Sequence, residues 1–116
     1  VIKMKINLDN KHFKSIDNSD NGEVSSDTLF HYKQKGEIIT ATYFGGSILL
    51  GQIIGKIFSD NHLEFSYQHI NIDKEIMTGI CKSYFEINEN GKLVLNEFWQ
   101  WTCKDKSKGQ STIIEI

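Results

Sequence analysis

The sequence predicts an all-β fold: a single antiparallel, up-and-down β-barrel of about eight strands, built from 116 residues. Three observations predict it. From residue 28 onward apolar and polar residues alternate at period two, and no segment of useful length carries a helical period. Every connector in that run is short, so successive strands pair with their neighbours instead of crossing over. Pairing the strands through those connectors keeps the large side chains on one face, and closing the sheet removes its exposed edges.

The elements follow in order. Residues 1–27 form an irregular N-terminal segment with one or two short strands. Within it, residues 1–9 form a leading strand or ordered tail, residues 11–17 (KHFKSID) a short strand, and residues 18–27 (NSDNGEVSSD) a loop dense in turn formers. Strands are expected at 28–35, 37–44, 47–58, 62–70, 75–88, 92–104 and 111–116. Gly36, Gly45-Gly46, Ser59-Asp60-Asn61, Ile72-Asp73-Lys74 and Glu89-Asn90-Gly91 turn the chain between them, and residues 104–109 (KDKSKG) make a solvated charged turn. There is no proline, so Asn, Asp and Gly must make these turns.

Register follows from the turns. With Gly91 in the left-handed region of a three-residue hairpin loop, Trp99 faces Cys81, Trp101 faces Gly79, Glu97 faces Ser83 and Leu95 faces Phe85. The loop at 72–74 sets His69 against Met77, Tyr67 against Gly79 and Phe65 against Cys81. The loop at 59–61 sets Phe65 against Gly55 and Tyr67 against Ile53. A two-residue turn at Gly36 pairs Tyr32 with Ile39 and Phe30 with Ala41. The Gly45-Gly46 turn pairs Tyr43 with Ile48, which has the wrong parity for Ile53, and a bulge near Leu50-Gly51 repairs it.

The predicted interior is aromatic but not dry. It holds Phe30, Tyr32, Gln34, Ile39, Ala41, Tyr43, Phe65, Tyr67, His69, Met77, Cys81, Ser83, Glu97, Trp99 and Trp101. Residues 93–103 (LVLNEFWQWTC) carry the sharpest signal, because they set the Glu97 carboxylate between leucines and two tryptophans. A carboxylate inside a barrel must be paired, hydrogen-bonded or protonated. His69 sits near a strand end, hence near a barrel mouth. The candidate cavity lining is Tyr32, Gln34, Tyr43, Tyr67, His69, Glu97, Trp99 and Trp101, a polar-aromatic set suited to a small molecule. Phe44, Ile54, Ile80 and Phe98 face outward, an apolar surface for an oligomer contact or for cover by the N-terminal segment.

Composition excludes several classes. Thirteen basic residues, all Lys, balance fifteen acidic ones, so neither a nucleic-acid nor a membrane surface is expected. Residues 1–9 are charged at Lys3, Lys5 and Asp9 and do not read as a signal peptide, so a cytoplasmic location is expected. Cys81 and Cys103 fit neither a metal spacing nor a disulfide framework, and His12, His31 and His62 have no partner at metal-ligand spacing. No metal and no cofactor are expected.

Residues 41–47 (ATYFGGS), 51–55 (GQIIG), 63–71 (LEFSYQHIN), 77–81 (MTGIC) and 96–102 (NEFWQWT) resemble, in order, a family of small bacterial proteins labelled "N-acetylglutamate synthase". The resemblance runs from about residue 28 to the end. It implies a shared pattern and assigns no catalytic residue. Residues 52–57 (QIIGKI) echo an acetyl-transfer turn, but they end on Ile57 and lie in a strand. In architecture the predicted barrel is similar to lipocalin- or avidin-like barrels.

These readings lead to a small cytoplasmic protein that binds a small, partly apolar or amphipathic molecule. The expected cavity is roughly a few hundred Å³ with Glu97 in its wall. Two alternatives stand beside it: an enzyme using Glu97 or His69 as acid or base, or a filled barrel that acts as an interaction module, dimerising through Phe44, Ile80 and Phe98.

Overall fold

The computed structural model describes residues 6–116. The first five positions of the expected leading strand or tail lie outside the described residues. Eight strands form a closed antiparallel barrel in which each pairs with its sequence neighbours and the last pairs with the first. They are β1 (Lys11–Asn18), β2 (Leu29–Lys35), β3 (Ile38–Gly45), β4 (Ile48–Ile57), β5 (His62–Asn71), β6 (Ile76–Ile87), β7 (Leu93–Trp101) and β8 (Lys108–Glu115).

Three of the hairpins use one device. Asn61, Lys74 and Gly91 end three-residue loops at φ +65°, +64° and +77°. In each case the backbone N–H of the left-handed residue donates to the carbonyl that opens the turn, the geometry of a type I turn closed by a left-handed residue. The expected registers of β4–β5, β5–β6 and β6–β7 follow: Phe65 lies opposite Gly55, Tyr67 opposite Gly79, Trp99 opposite Cys81 and Glu97 opposite Ser83.

Three expectations are corrected. The β2–β3 turn occupies Gly36 and Glu37, so Tyr32 pairs with Ala41, Phe30 with Tyr43 and Gln34 with Ile39. Gly36 takes φ +61°, the sign a two-residue hairpin requires at its first central position when glycine stands there. The shift is two residues, so the buried face is preserved. Strand β7 ends at Trp101 rather than Lys104, because the chain turns through Lys104 and Lys106 at positive φ. Cys103 therefore lies beyond the strand, half-buried against the core, and takes the Thr78 backbone N–H on its sulfur at 3.4 Å. Finally, Ile6 and Leu8 pack on the core, with Leu8 fully buried, so the described N-terminal residues do not cover the outer face.

The bulge expected at the start of β4 is present. Gly45 pairs with Ile48 while Tyr43 pairs with Gly51, and Leu49 and Leu50 are both exposed between the buried Ile48 and Gly51. An extra residue here restores the parity that carries Ile53 into the core.

The two ends of the barrel differ. Leu8 and Gln34 close one end: the Leu8 backbone N–H donates to Gln34 Oε1 at 2.9 Å, and the Gln34 N–H donates to Asp9 Oδ1 at 3.0 Å. Residues 19–28, joining β1 to β2, cover the other. Val24 from that connector packs on the core.

Candidate ligand-binding site

A cavity lies beneath the 19–28 connector. Tyr43, Tyr67, His69, Glu97, Trp99 and Trp101 line it, together with Phe30, Phe65, Cys81, Ser111 and, from above, Gly22, Glu23 and Val24. Tyr32 and Gln34 do not line it. Tyr32 is fully buried with its ring edge-on to Phe13 at 5.3 Å, and Gln34 belongs to the closed end. The free volume is about 50 Å³, room for a small number of waters and far below the expected few hundred. The cause is the connector: Glu23 and Val24 enter the mouth above two stacked-in tryptophans, whose rings meet edge-on at 5.4 Å.

Glu97 is placed by its strand neighbours. Its face of β7 looks inward, with Ser83 opposite on β6 and Ser111 opposite on β8. Ser111 Oγ donates to Glu97 Oε1 at 3.1 Å. The second oxygen, Oε2, is buried and has no partner among the described residues, as do the Tyr32 hydroxyl and Ser83 Oγ. Burial pushes the Glu97 carboxyl up to about 7, against the Ser111 hydrogen bond that holds it down. At neutral pH it therefore exists in both protonated and ionised forms, able to donate or to accept.

His69 ties the barrel wall to the connector over the mouth. Its Nδ1 lies 2.8 Å from the Tyr43 hydroxyl and its Nε2 lies 2.7 Å from Glu23 Oε1. The Glu23 carboxylate can only accept, so the proton of the neutral ring is assigned to Nε2, and Nδ1 then accepts the O–H of Tyr43, whose phenol burial holds well above its ordinary range. Asn71, two residues on and on the same face, donates from Nδ2 to Glu23 Oε2 at 3.1 Å and to Glu75 Oε1 at 3.0 Å.

Other bonds hold the connector down. Trp101 Nε1–H donates to the Asn21 carbonyl at 3.0 Å. Asn18 Nδ2 donates to the Val24 carbonyl, and Asn21 Nδ2 donates to the Lys108 carbonyl at 2.9 Å. Glu23, Asn71 and Ser111 were not legible as site residues. Val24 was the available signal, being the one large apolar residue between Ile16 and Leu29 in an otherwise polar stretch.

The remaining histidines lie elsewhere. His12 and His31 stack across β1 and β2 at 4.2 Å between ring centroids, a pairing that local spacing did not reveal. His62 sits at the closed end between Asp60 and Glu64. No group of three or more His, Cys, Asp or Glu among the described residues could hold a metal ion. Phe44 lies opposite Leu29 on β2, whereas Ile54 and Ile80 flank Ser66 across β4, β5 and β6. The outward apolar residues thus form two separate groups rather than one face.

The chain matches no curated protein and no solved structure. The interior of a closed eight-stranded barrel is either filled by side chains or holds one small ligand, and a family model described as avidin-like protein matches residues 6–116; the chain belongs to the avidin-like family.

Proposed function

We propose that this protein binds a small, partly apolar molecule inside the barrel, entering through the mouth that residues 19–28 cover. The observation that carries the reading is Glu97 Oε2, a buried carboxylate oxygen on the cavity wall with no partner among the described residues. With no protein partner among the described residues, that oxygen is available to hydrogen-bond a polar group of a ligand. Trp99, Trp101, Phe30 and Phe65 supply the apolar wall. The closed cavity is too small for a typical ligand of about 300–1,000 Å³, so binding requires the connector to lift. Small ligands such as biotin are bound within the family, which supports the reading at that coarse level.

An acid/base role for His69 is disfavoured because both its ring nitrogens are already engaged, whereas Glu97, on the cavity wall with its carboxyl raised to about 7, meets the requirements of the acid/base alternative. Acetyl transfer is not part of the reading, since the pyrophosphate site of such enzymes sits at a helix N-terminus and the described residues form strands and turns alone. Free thiols at Cys81 and Cys103 fit a reducing, cytoplasmic setting.

Native mass spectrometry of gently purified protein, set against the denatured sample, tests the proposal. A reproducible extra mass that disappears on denaturation, or uptake of added biotin, is the expected result. A bare mass with no biotin uptake overturns it.

A second surface favours self-association. Ile54 on β4, Ile80 on β6 and Phe98 on β7 are 62%, 51% and 48% exposed, an apolar group that a homodimer would cover. Sedimentation velocity over a hundredfold concentration range would show a shift toward dimer. A constant monomer coefficient would count against it.

A further inference from the structure

We propose that Glu23 is a built-in competitor: its carboxylate occupies an anion clamp made by His69 and Asn71, and the entering ligand displaces it with a carboxylate of its own. The ligand half of this inference rests on the binding reading above. The clamp itself stands on geometry.

Each Glu23 oxygen has its own donor, Oε1 from His69 Nε2 at 2.7 Å and Oε2 from Asn71 Nδ2 at 3.1 Å. Two donors spaced for the two oxygens of one carboxylate define a planar anion site. Both donors are fixed from behind and both are nearly inaccessible, 3% and 2% exposed. The Tyr43 hydroxyl holds the His69 ring, and Asn71 Oδ1 accepts the backbone N–H groups of Asp73 and Glu75, each at 3.0 Å. The receptor is thus rigid and sits in strand β5, whereas its occupant comes from a connector 46 residues earlier in the chain.

The clamp has room for one anion. The other Asn71 N–H goes to Glu75, whose charge Lys104 balances at the surface. A second carboxylate beside Glu23 would meet uncompensated like charge. An acidic ligand must therefore expel Glu23, and expelling it releases the part of the connector that fills the mouth. Displacement and opening become one event. Tethering makes Glu23 a strong competitor, so the ligand's apparent affinity falls by the fraction of molecules in which the clamp is free.

The test uses Glu23→Ala with acetate as the probe and acetamide and chloride as controls, read by thermal melting. Acetate at tenfold excess over its dissociation constant should raise the melting temperature of Glu23→Ala by about 5 °C. Acetamide and chloride should not, and wild-type protein should not respond. Should Glu23→Ala not fold, Glu23→Gln is used and should respond to acetate in the same direction. An absent response, or equal responses in wild type and variant, overturns the clamp. If wild-type protein carries a ligand in native mass spectrometry while Glu23→Ala ignores acetate, the clamp fails and the binding reading survives. An acetate response with no ligand ever found does the reverse.

Discussion

Ser111 Oγ donates to Glu97 Oε1 across β7 and β8 at 3.1 Å, while the other carboxylate oxygen is buried with no partner among the described residues. The consequence is measurable as a pH dependence. Burial raises the Glu97 pKa in the folded state from 4.5 to about 7, so the native protein binds this proton more tightly than the unfolded chain does. The stability it contributes is complete below about pH 4.5 and is lost as pH rises through 7. Measured against Glu97→Gln, wild-type stability should fall by about 3 kcal/mol between about pH 4.5 and pH 8. Denaturant melts across that range check it, and parallel curves for the two proteins would show that Glu97 keeps an ordinary pKa.

Tyr43→Phe removes the hydroxyl that satisfies His69 Nδ1 while keeping the ring that packs on Phe30 at 5.2 Å. A buried imidazole nitrogen then lacks its partner, so the variant should be less stable by about 1–3 kcal/mol. Equilibrium urea unfolding should show a lower midpoint with an unchanged slope.

Trp101→Phe deletes the indole N–H that holds the Asn21 carbonyl. Losing a bond worth about 1 kcal/mol should raise the open population of the connector roughly fivefold. Hydrogen exchange in residues 19–28 should quicken by that factor relative to β5 and β6. Uniform acceleration across the barrel would instead point to a loss of global stability.

Gly109→Ala probes the fit of the tryptophans. A Cβ at position 109 would lie 2.2 Å from the Trp99 indole, a contact the core can relieve only by moving. The expected loss is about 1–3 kcal/mol. Adding Trp99→Phe should recover part of it, a coupling that a double-mutant cycle in denaturant would reveal.

Much of the barrel was legible because its information is local and repeats. Period-two alternation names the buried face, and the loops at 59–61, 72–74 and 89–91 transmit register from strand to strand with a left-handed residue at a fixed place. Where a turn admits two placements, as at Gly36, the face survived and the register moved by two residues. Glu97, Trp99, Trp101, Tyr43, Tyr67 and His69 reach the cavity for the same reason, being inward positions of strands whose phase the pattern set.

By itself the sequence determined the fold class, the inward face and the burial of a carboxylate among aromatics, because those depend on the order of polar and apolar residues along single strands. Only the tertiary structure decided what fills the mouth. Glu23 finds His69 and Asn71 across 46 and 48 residues of chain, from a connector whose polar, turn-rich composition carries no period to read. Such a contact is chosen by how the closed barrel places its ends in space, and that closure shrinks the cavity from the expected few hundred Å³ to about 50 Å³.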